Sequence, residues 1–370
     1  MTKLAIIGAS YLQLPLVRCA KEMGLYTICF AWADGAVCKD ECDTFYPISI
    51  IEKEQILDIC RKEQINGICT IASDTAAPTV AYVAEQMGLV GNSYECALRA
   101  NDKYLMRNAF KAAGIPCPLY QMVKSEDKEL NEAFTYPLII KPTDRSGSLA
   151  VTKVSDIVSR KYAIKDALEK SFKHEAIVEE YIEGREISVE FISYQGKHYP
   201  LQITDKVTTG APHFVELEHH QPANLSVEQY SEIYRLTTKA LDALGITNGA
   251  SHSEYRITDD GKIYVMEIGA RMGGDFIGSH LVQLSTGYDF LCGVIEVALG
   301  EFTLPVRTIN KYSGVYFLCQ ETAHLKPIIE QHALPQIVAT EITDDGLRPV
   351  TCSGDRSGYM IYQSDKKLVL

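Results

Sequence analysis

The sequence predicts an α/β protein that opens with a doubly wound parallel sheet. Two observations carry this. Through residues 1–96, short apolar runs alternate with amphipathic stretches, the pattern that crossover-connected parallel strands produce. From residue 97 the texture changes to strand-like segments separated by loops rich in glycine, serine and proline, which marks a differently built region.

In the first region, Leu4–Gly8 reads as a buried strand and Leu14–Met23 as a helix closed by Gly24. Tyr26–Ala31 follows as a strand, Lys53–Glu63 as a helix, Gly67–Ile71 as a strand, and Thr75–Met87 as a helix before Gly88. The first turn, Gly8-Ala9-Ser10-Tyr11-Leu12-Gln13, is not a GxGxxG fingerprint. Gly8 either brings backbone close to a phosphate or simply makes a tight turn. Asp34 stands where the second strand ends, so a dinucleotide-dependent oxidoreductase is one reading of this region, weakened by the missing glycines.

Further on, Asn101–Ala113 predicts a helix capped by Asn101 or Asp102 and stopped by Gly114, with Pro116 and Pro118 beyond it. Tyr136–Pro142 is a short strand ending in Lys141, followed by the small-residue loop Thr143–Ser148. Ala176–Tyr181 is a strand, and after Ile182-Glu183-Gly184 the alternation of Glu186–Ile192 makes another. Residues 250–268 read as a hairpin, and residues 301–370 lean to β structure with turns at Asp344–Gly346 and Gly354–Gly358.

The 370 residues suggest two to three domains, and an apolar fraction of 46% is ample for a core. A net charge of −12 disfavours nucleic acid and anionic membrane as partners of the whole surface. No apolar run approaches a membrane span, and Lys3–Gly8 is too short for a leader. Eleven scattered cysteines, an odd number without CxxC spacing, read as reduced core thiols of a cytoplasmic protein.

Several segments carry chemistry. Lys103 on its helix, Lys141 at a strand end and the loop around Gly147 can supply positive charge and backbone donors to phosphates, although a lone lysine is usually a surface residue. In Glu179–Glu186, an extended hinge can offer backbone groups to an adenine edge and Glu186 can accept from ribose hydroxyls; the plain alternative is a strand end with solvated acids. In the hairpin, a two-residue turn at Asp259-Asp260 places Glu254 opposite Val265, with Glu267 one diagonal step away on the same face. Two carboxylates among apolar residues are costly unless cations hold them, and hard oxygen ligands suit Mg²⁺ or Mn²⁺ shared with phosphates. Another register would separate the two acids. Gly269–Asp275 then sets Arg271 beside glycine N–H groups, a combination suited to a negative intermediate.

In this order, the helix lysine, strand lysine, glycine loop, EEYIEGRE hinge and paired glutamates before an arginine resemble an ATP-grasp enzyme over roughly residues 97–300. The resemblance implies a pre-ATP-grasp α/β domain at 1–96, with its doubly wound parallel sheet. It implies an ATP-grasp core of two α+β lobes at 97–300, the small lobe near 110–182 and the large lobe at 183–300. A small β-rich C-terminal subdomain at 301–370 completes the chain, where Asp355–Tyr359 fits. By the same resemblance, Lys103 and Lys141 contact phosphates, and Ser146, Gly147 and Ser148 belong to a mobile covering loop. Glu179, the backbones of Glu180 and Ile182, and Glu186 face adenine and ribose. Glu254 and Glu267 bind metal, and Arg271 with Gly274 faces the reacting carboxyl. One position departs: many relatives have asparagine where this chain has Gly269, which removes one side-chain metal ligand.

Within the superfamily, EIGARMGGDFIG and the loop Thr208–Ala223 look most like amino-acid ligases that form dipeptides or related amides. His213, Gly273 and Asp275 are then candidate substrate contacts, and His219 and His220 share that loop. The implied function is an ATP- and Mg²⁺- or Mn²⁺-dependent carboxylate–amine ligase acting through an acyl phosphate on small molecules, with a homodimer permitted. The alternatives are a carboxylase acting through carboxyphosphate on a purine precursor or biotin-like acceptor, and a nucleotide-binding module without turnover.

Overall fold

The computed structural model describes residues 1–147, 149–211 and 213–370. The N-terminal unit comprises β1 (Lys3–Ile7), α1 (Leu14–Glu22), β2 (Tyr26–Phe30), β3 (Thr44–Tyr46), α2 (Lys53–Glu63), β4 (Gly67–Cys69) and α3 (Ala77–Met87). Its four strands are parallel, in the order β3-β2-β1-β4. Successive side chains of β1 point to opposite faces. Leu4 and Ile6 pack with Leu16 and Val17 of α1, whereas Ala5 and Ile7 pack with Ile56 and Leu57 of α2 and Val83 and Ala84 of α3. Both faces are covered, as an all-parallel sheet requires. The edge strand β3 lies outside the sequence expectation, because its three half-buried residues make no continuous apolar run.

Gly8 takes the tight-turn role. It has φ of +106°, and a Cβ there would sit 2.9 Å from Cδ of Gln13. The Gln13 amide fills that space, accepting from Ser10 and donating to the Ile71 carbonyl at 2.8 Å.

The chain leaves this unit through α4 (Tyr94–Asn101) and α5 (Lys103–Ala112). The helix expected over Asn101–Ala113 is α5; Asn101 itself ends α4, and the backbone leaves helical geometry between them at Asp102 (φ −111°, ψ 114°). Asp102 is the cap: its carboxylate accepts from the N–H groups of Tyr104 and Leu105, both at 3.0 Å. A cap residue holds non-helical dihedrals, so α4 cannot run on through it.

A small antiparallel sheet follows, from β5 (Tyr120–Val123), β6 (Leu138–Pro142), β7 (Thr152–Val154), α6 (Ile157–Lys170) and β8 (Ala176–Glu180), ordered β5-β8-β6-β7. Ala163, Ile164 and Ala167 of α6 cover one of its faces. Next come β9 (Arg185–Tyr194), β10 (Lys197–Thr208), β11 (Glu216–Gln221), α7 (Val227–Leu244), β12 (Gly249–Ile257), β13 (Ile263–Gly269), α8 (Val282–Thr286), α9 (Phe290–Leu299), β14 (Tyr312–Leu318), α10 (Lys326–Glu330), β15 (Ile337–Ile342) and β16 (Gly358–Ser364). Eight of these strands form one antiparallel sheet, β13-β12-β9-β10-β11-β14-β16-β15. The C-terminal strands thus prolong the sheet of the central region, with β14 paired to β11.

Helix α7 covers one face of this sheet. Ile233, Leu236 and Leu241 pack on Ile187, Val189 and Phe191 of β9 and on Tyr255, Val265 and Ile268 of the hairpin. The residues between them, including Glu186, Glu190, His252 and Glu254, point to the other face. Helix α9 turns back to the N-terminal sheet, where Val294, Ile295 and Ala298 share a core with Leu4, Ile6 and Leu16. At that contact the sulfurs of Cys19 and Cys292 lie 3.2 Å apart, beside Asp289. All eleven cysteines are free thiols. Among the described residues, no helix is long and apolar enough to cross a membrane.

Candidate active site

A cavity of about 480 Å³ opens between the small sheet, the polar face of the large sheet and the loops that follow β1 and β4. Those loops lie at the carboxyl ends of parallel strands, where α/β sheets leave room for ligands.

The hairpin supplies the paired acids, but in a different register from the one expected. Thr258 and Lys262 close a three-residue loop, Asp259-Asp260-Gly261, with Gly261 at φ +82°. That shift alone sets Tyr255 opposite Val265; a bulge then places Glu254 directly opposite Glu267. The physical reason lies in β13, where Val265 and Ile268 both enter the core under α7. Strict alternation cannot bury residues three apart, so Met266 and Glu267 both line the cavity. Each carboxylate already meets a cation. Lys206 Nζ is 2.6 Å from Glu254 and 3.4 Å from Glu216, and Lys103 Nζ is 3.2 Å from Glu267.

Lys103, the first residue of α5, also donates to the Arg145 carbonyl at 2.7 Å, which ties it to the loop after β6. In that loop Ser146 and Gly147 are exposed at the cavity and Gly147 has φ +66°; Ser148 lies outside the described residues. Lys141 lies 2.8 Å from the Glu179 carboxylate, whose other oxygen lies 2.8 Å from Nε of Arg107. Arg107 and Glu179 are 0% and 1% exposed. Burial alone would raise the Glu179 pKa, but Arg107 and Lys141 override it and hold the carboxyl at about 2. Arg107 was missed from the sequence. The available signal was a cation on the apolar stripe of α5, with Lys103, Met106, Arg107 and Phe110 all buried at helical spacing.

The hinge after β8 lines the cavity with Glu180, Tyr181 and Ile182. Glu180 N–H donates to the Leu119 carbonyl at 2.9 Å. Glu186 is ion-paired with Arg256, which also donates to the Ile182 carbonyl at 3.2 Å and lies over the Tyr181 ring at 5.5 Å.

The loop after β13 closes the inner end. Arg271 is gripped in bidentate fashion by Asp74, at 2.8 and 2.7 Å. Gly274 and Asp275 line the cavity, whereas Gly273 lies behind it and donates its N–H to Glu190 at 3.1 Å. A Cβ at Gly273 would strike His252 Nδ1 at 2.6 Å, which explains the glycine there. Asp275 and Phe276 have φ of +49° and +66°, unusual for residues with side chains. Two contacts hold them: Arg356 clamps Asp275 with two bonds of 2.8 Å, and Phe276 stacks 4.3 Å from Tyr359. Such strain collects at functional sites.

The histidines divide. His213 is exposed at the cavity and His219 is buried against it, 3.9 Å from Asp275. Burial pulls the His219 pKa below its ordinary value despite Asp275, and its Nδ1 has no hydrogen-bond partner among the described residues. His220 does not belong to the cavity; its ring is held by Tyr362 at 2.9 Å and Glu218 at 2.7 Å. His252 was missed, though it stands two residues before Glu254 on the same strand face. It is bonded to Glu190 and lies 3.5 Å from Glu254. Burial would lower its pKa, but Glu190 and Glu254 push it up to about 9. Asp74 and Arg356 were missed as well, because their partners lie far along the chain.

Chemically, the cavity is a row of ion pairs with lysines at the small-sheet side, facing acids in the middle and an arginine with glycine N–H groups at the inner end. Such an array suits a polyanion with a cation and, beyond it, a reaction that develops negative charge.

Comparison with known proteins agrees with this layout. Residues 134–279 match the model of the ATP-grasp domain. The chain is 29% identical over 245 residues to the alanine–anticapsin ligase of Bacillus subtilis (strain 168), across 60% of this chain and 51% of that protein. It thus spans about half the length of the curated relatives it matches. Among solved structures, the L-amino acid ligase of Bacillus licheniformis superposes with a TM-score of 0.81 at 24% identity, over 99% of this chain and 94% of that one. N5-carboxyaminoimidazole synthetase of Staphylococcus aureus complexed with ADP superposes with 0.80 at 16% identity, over 99% and 94%. These two likenesses are of fold.

Proposed function

We propose that this chain, which carries an ATP-grasp domain, is an ATP-dependent carboxylate–amine ligase with an amino acid among its substrates. The observation that carries the reading is the direct opposition of Glu254 and Glu267 within reach of Lys103, in one cavity with Lys141 and Arg271. The similarity to a protein named alanine–anticapsin ligase supports the amide-forming half and the amino-acid substrate.

The donor set fits a hard divalent cation. The two carboxylates face each other, and ammonium groups already sit at 2.6 and 3.2 Å from them. Glu254 and Glu267 would hold Mg²⁺ or Mn²⁺, which supplies neutralisation of phosphate charge. Lys103 and Lys141 add positive charge for the phosphates of ATP, and Ser146 and Gly147 cover them with backbone donors. The hinge at Glu180–Ile182 and Glu186 receive adenine and ribose. With the phosphates so placed, the substrate carboxylate is aligned to form an acyl phosphate, a step dominated by positioning and electrostatics.

Arg271 and the Gly274 N–H then oppose the charge that grows on the carbonyl oxygen as an amine attacks. His219 closes this end of the cavity, buried and 3.9 Å from the Asp275 carboxylate. Gly269 leaves the cation without a side-chain ligand at that position.

The test is release of ADP and phosphate with amino acids supplied in pairs, in Mg²⁺ with zinc chelated. Turnover that needs both an amine and a carboxylate is expected. Absence of ADP release with every pair would end the reading, and release dependent on bicarbonate would replace it with carboxylation.

A further inference from the structure

The geometry points to Asp74 as a positioning residue that the N-terminal sheet supplies to Arg271, in space that exists only because residue 269 has no side chain. The role given to Arg271 rests on the ligase reading above; the pairing itself does not.

Gly269 follows directly on Glu267 and Ile268 at the end of β13. Its φ lies outside the left-handed region, so the backbone does not demand glycine. The surroundings do. A Cβ at this position would lie 2.6 Å from Asp74 Oδ1 and 3.1 Å from both Cζ and Nε of Arg271. Real Cβ atoms do not approach that closely, so any side chain here must expel Asp74, Arg271 or both. The volume of a missing side chain is occupied by a carboxylate that comes from residues near 200 positions earlier in the chain.

Asp74 is delivered there by construction. After β4, Ile71 bridges to Met272 in parallel fashion, and Ala72 N–H donates to the Met272 carbonyl at 3.0 Å. Ala72 has φ +56°, a conformation that costs a non-glycine residue energy and turns the chain toward the cavity. The Gln13 amide holds the Ile71 carbonyl from behind. These contacts join the loop after β4 to the loop that carries Arg271, and Asp74 and Arg271 close the joint with two bonds. Both side chains are about 15% exposed, at 15% and 14%, and both face the cavity.

The pairing is bidentate, which fixes the plane of the guanidinium as well as its place. Held on one edge by Asp74, with Nη1 3.4 Å from the Met272 carbonyl, the guanidinium has a fixed orientation toward the cavity. A guanidinium free to rotate would have to be ordered during the reaction, and misplacement of such a group by about 1 Å costs roughly a hundredfold in rate. Asp74 does not need to touch either substrate to have this effect. It acts through Arg271 alone.

The experiment compares Asp74→Ala, Gly269→Asn and the double variant that carries both. Two readouts are taken on the full chain. The first is the arginine Nε–H resonance of Arg271, assigned by its loss in Arg271→Lys; protection from exchange reports the lock whatever the reaction is. The second is steady-state turnover. Both single variants are expected to lose the protected resonance and about a hundredfold in kcat, with KM for ATP within about twofold of wild type. The double variant is expected to lose no more than either single one, because both remove the same lock. A protected resonance that survives in Asp74→Ala, or a wild-type kcat in either single variant, overturns the proposal. A wild type that releases no ADP with any pair ends the ligase reading instead, and the resonance still decides whether Asp74 locks Arg271.

Discussion

Replacing Arg107 by methionine isolates the buried triad on which Lys141 stands. Arg107 and Glu179 are 0% and 1% exposed, and Lys141 is 8% exposed. With Arg107 present, Glu179 titrates at about 2 instead of the ordinary 4.5. At 1.36 kcal/mol per pH unit, that difference corresponds to about 3 kcal/mol. Breaking a buried pair by removing one partner typically costs about 3–5 kcal/mol, because the remaining charge stays desolvated. Arg107→Met should therefore lower stability at pH 7 by roughly 3–5 kcal/mol.

The sign of the pH effect follows from the depressed pKa. Glu179 contributes fully above its unfolded value, and the contribution fades as pH falls through the window from about 4.5 to about 2. Integrated over that window, about 2 kcal/mol of it is gone by pH 3. The gap between wild type and variant should accordingly narrow by about that amount between pH 7 and pH 3. Urea titrations followed by circular dichroism at the two pH values measure both quantities. A gap under about 1 kcal/mol at pH 7, or one that does not change with pH, would refute the triad as the source of this stability. Adding Glu179→Gln to Arg107→Met should recover part of the loss, since the stranded carboxylate is then gone.

Two further outcomes are expected. Glu267→Ala and Arg271→Ala should each abolish turnover while the circular dichroism spectrum remains that of a folded protein; retained turnover in either variant contradicts the role assigned to it. Asp275→Ala should destabilise the protein by roughly 3–5 kcal/mol in urea, because Arg356, clamped at 2.8 Å and lying 3.8 Å over the Phe317 ring, loses its counter-charge. Stability within about 1 kcal/mol of wild type would show that the clamp does not hold the strained turn.

The alternation of β1, α1, β2, α2, β4 and α3 was legible because each element carries its own apolar period, and the helix Lys53–Glu63 was read to the residue. Lys141 and the two glutamates stand out as charges inside apolar runs, whereas Lys103 at the start of its helix was singled out by the order of motifs in the resemblance. What escaped was whatever depends on a distant partner. Asp74 looks like an ordinary loop acid until Arg271 is placed beside it. Arg107 looks like a helix surface cation until Glu179 is buried against it. The bulge escaped for a different reason. Apolar Val265 and Ile268, three residues apart, contradict a plain strand, and this local clue is read only once both are known to face α7. Asp102 shows what a capping residue adds to helical pattern: it is one of the two caps the sequence offers for α5, and it separates that helix from α4.

Helix α9 has a consequence for how the chain is made. One face of the N-terminal sheet is sealed by α1 together with Val294, Ile295 and Ala298 of α9. A ribosome that has finished α3 at Met87 must still deliver the chain through Leu299 before that face can be closed. At about 5–20 residues per second, the wait is on the order of 10–40 s. During that interval Leu4, Ile6 and Cys69 have only α1 above them. The nascent N-terminal unit therefore keeps part of one apolar face uncovered after its own last helix is made, until a helix from the far side of the site arrives to finish it.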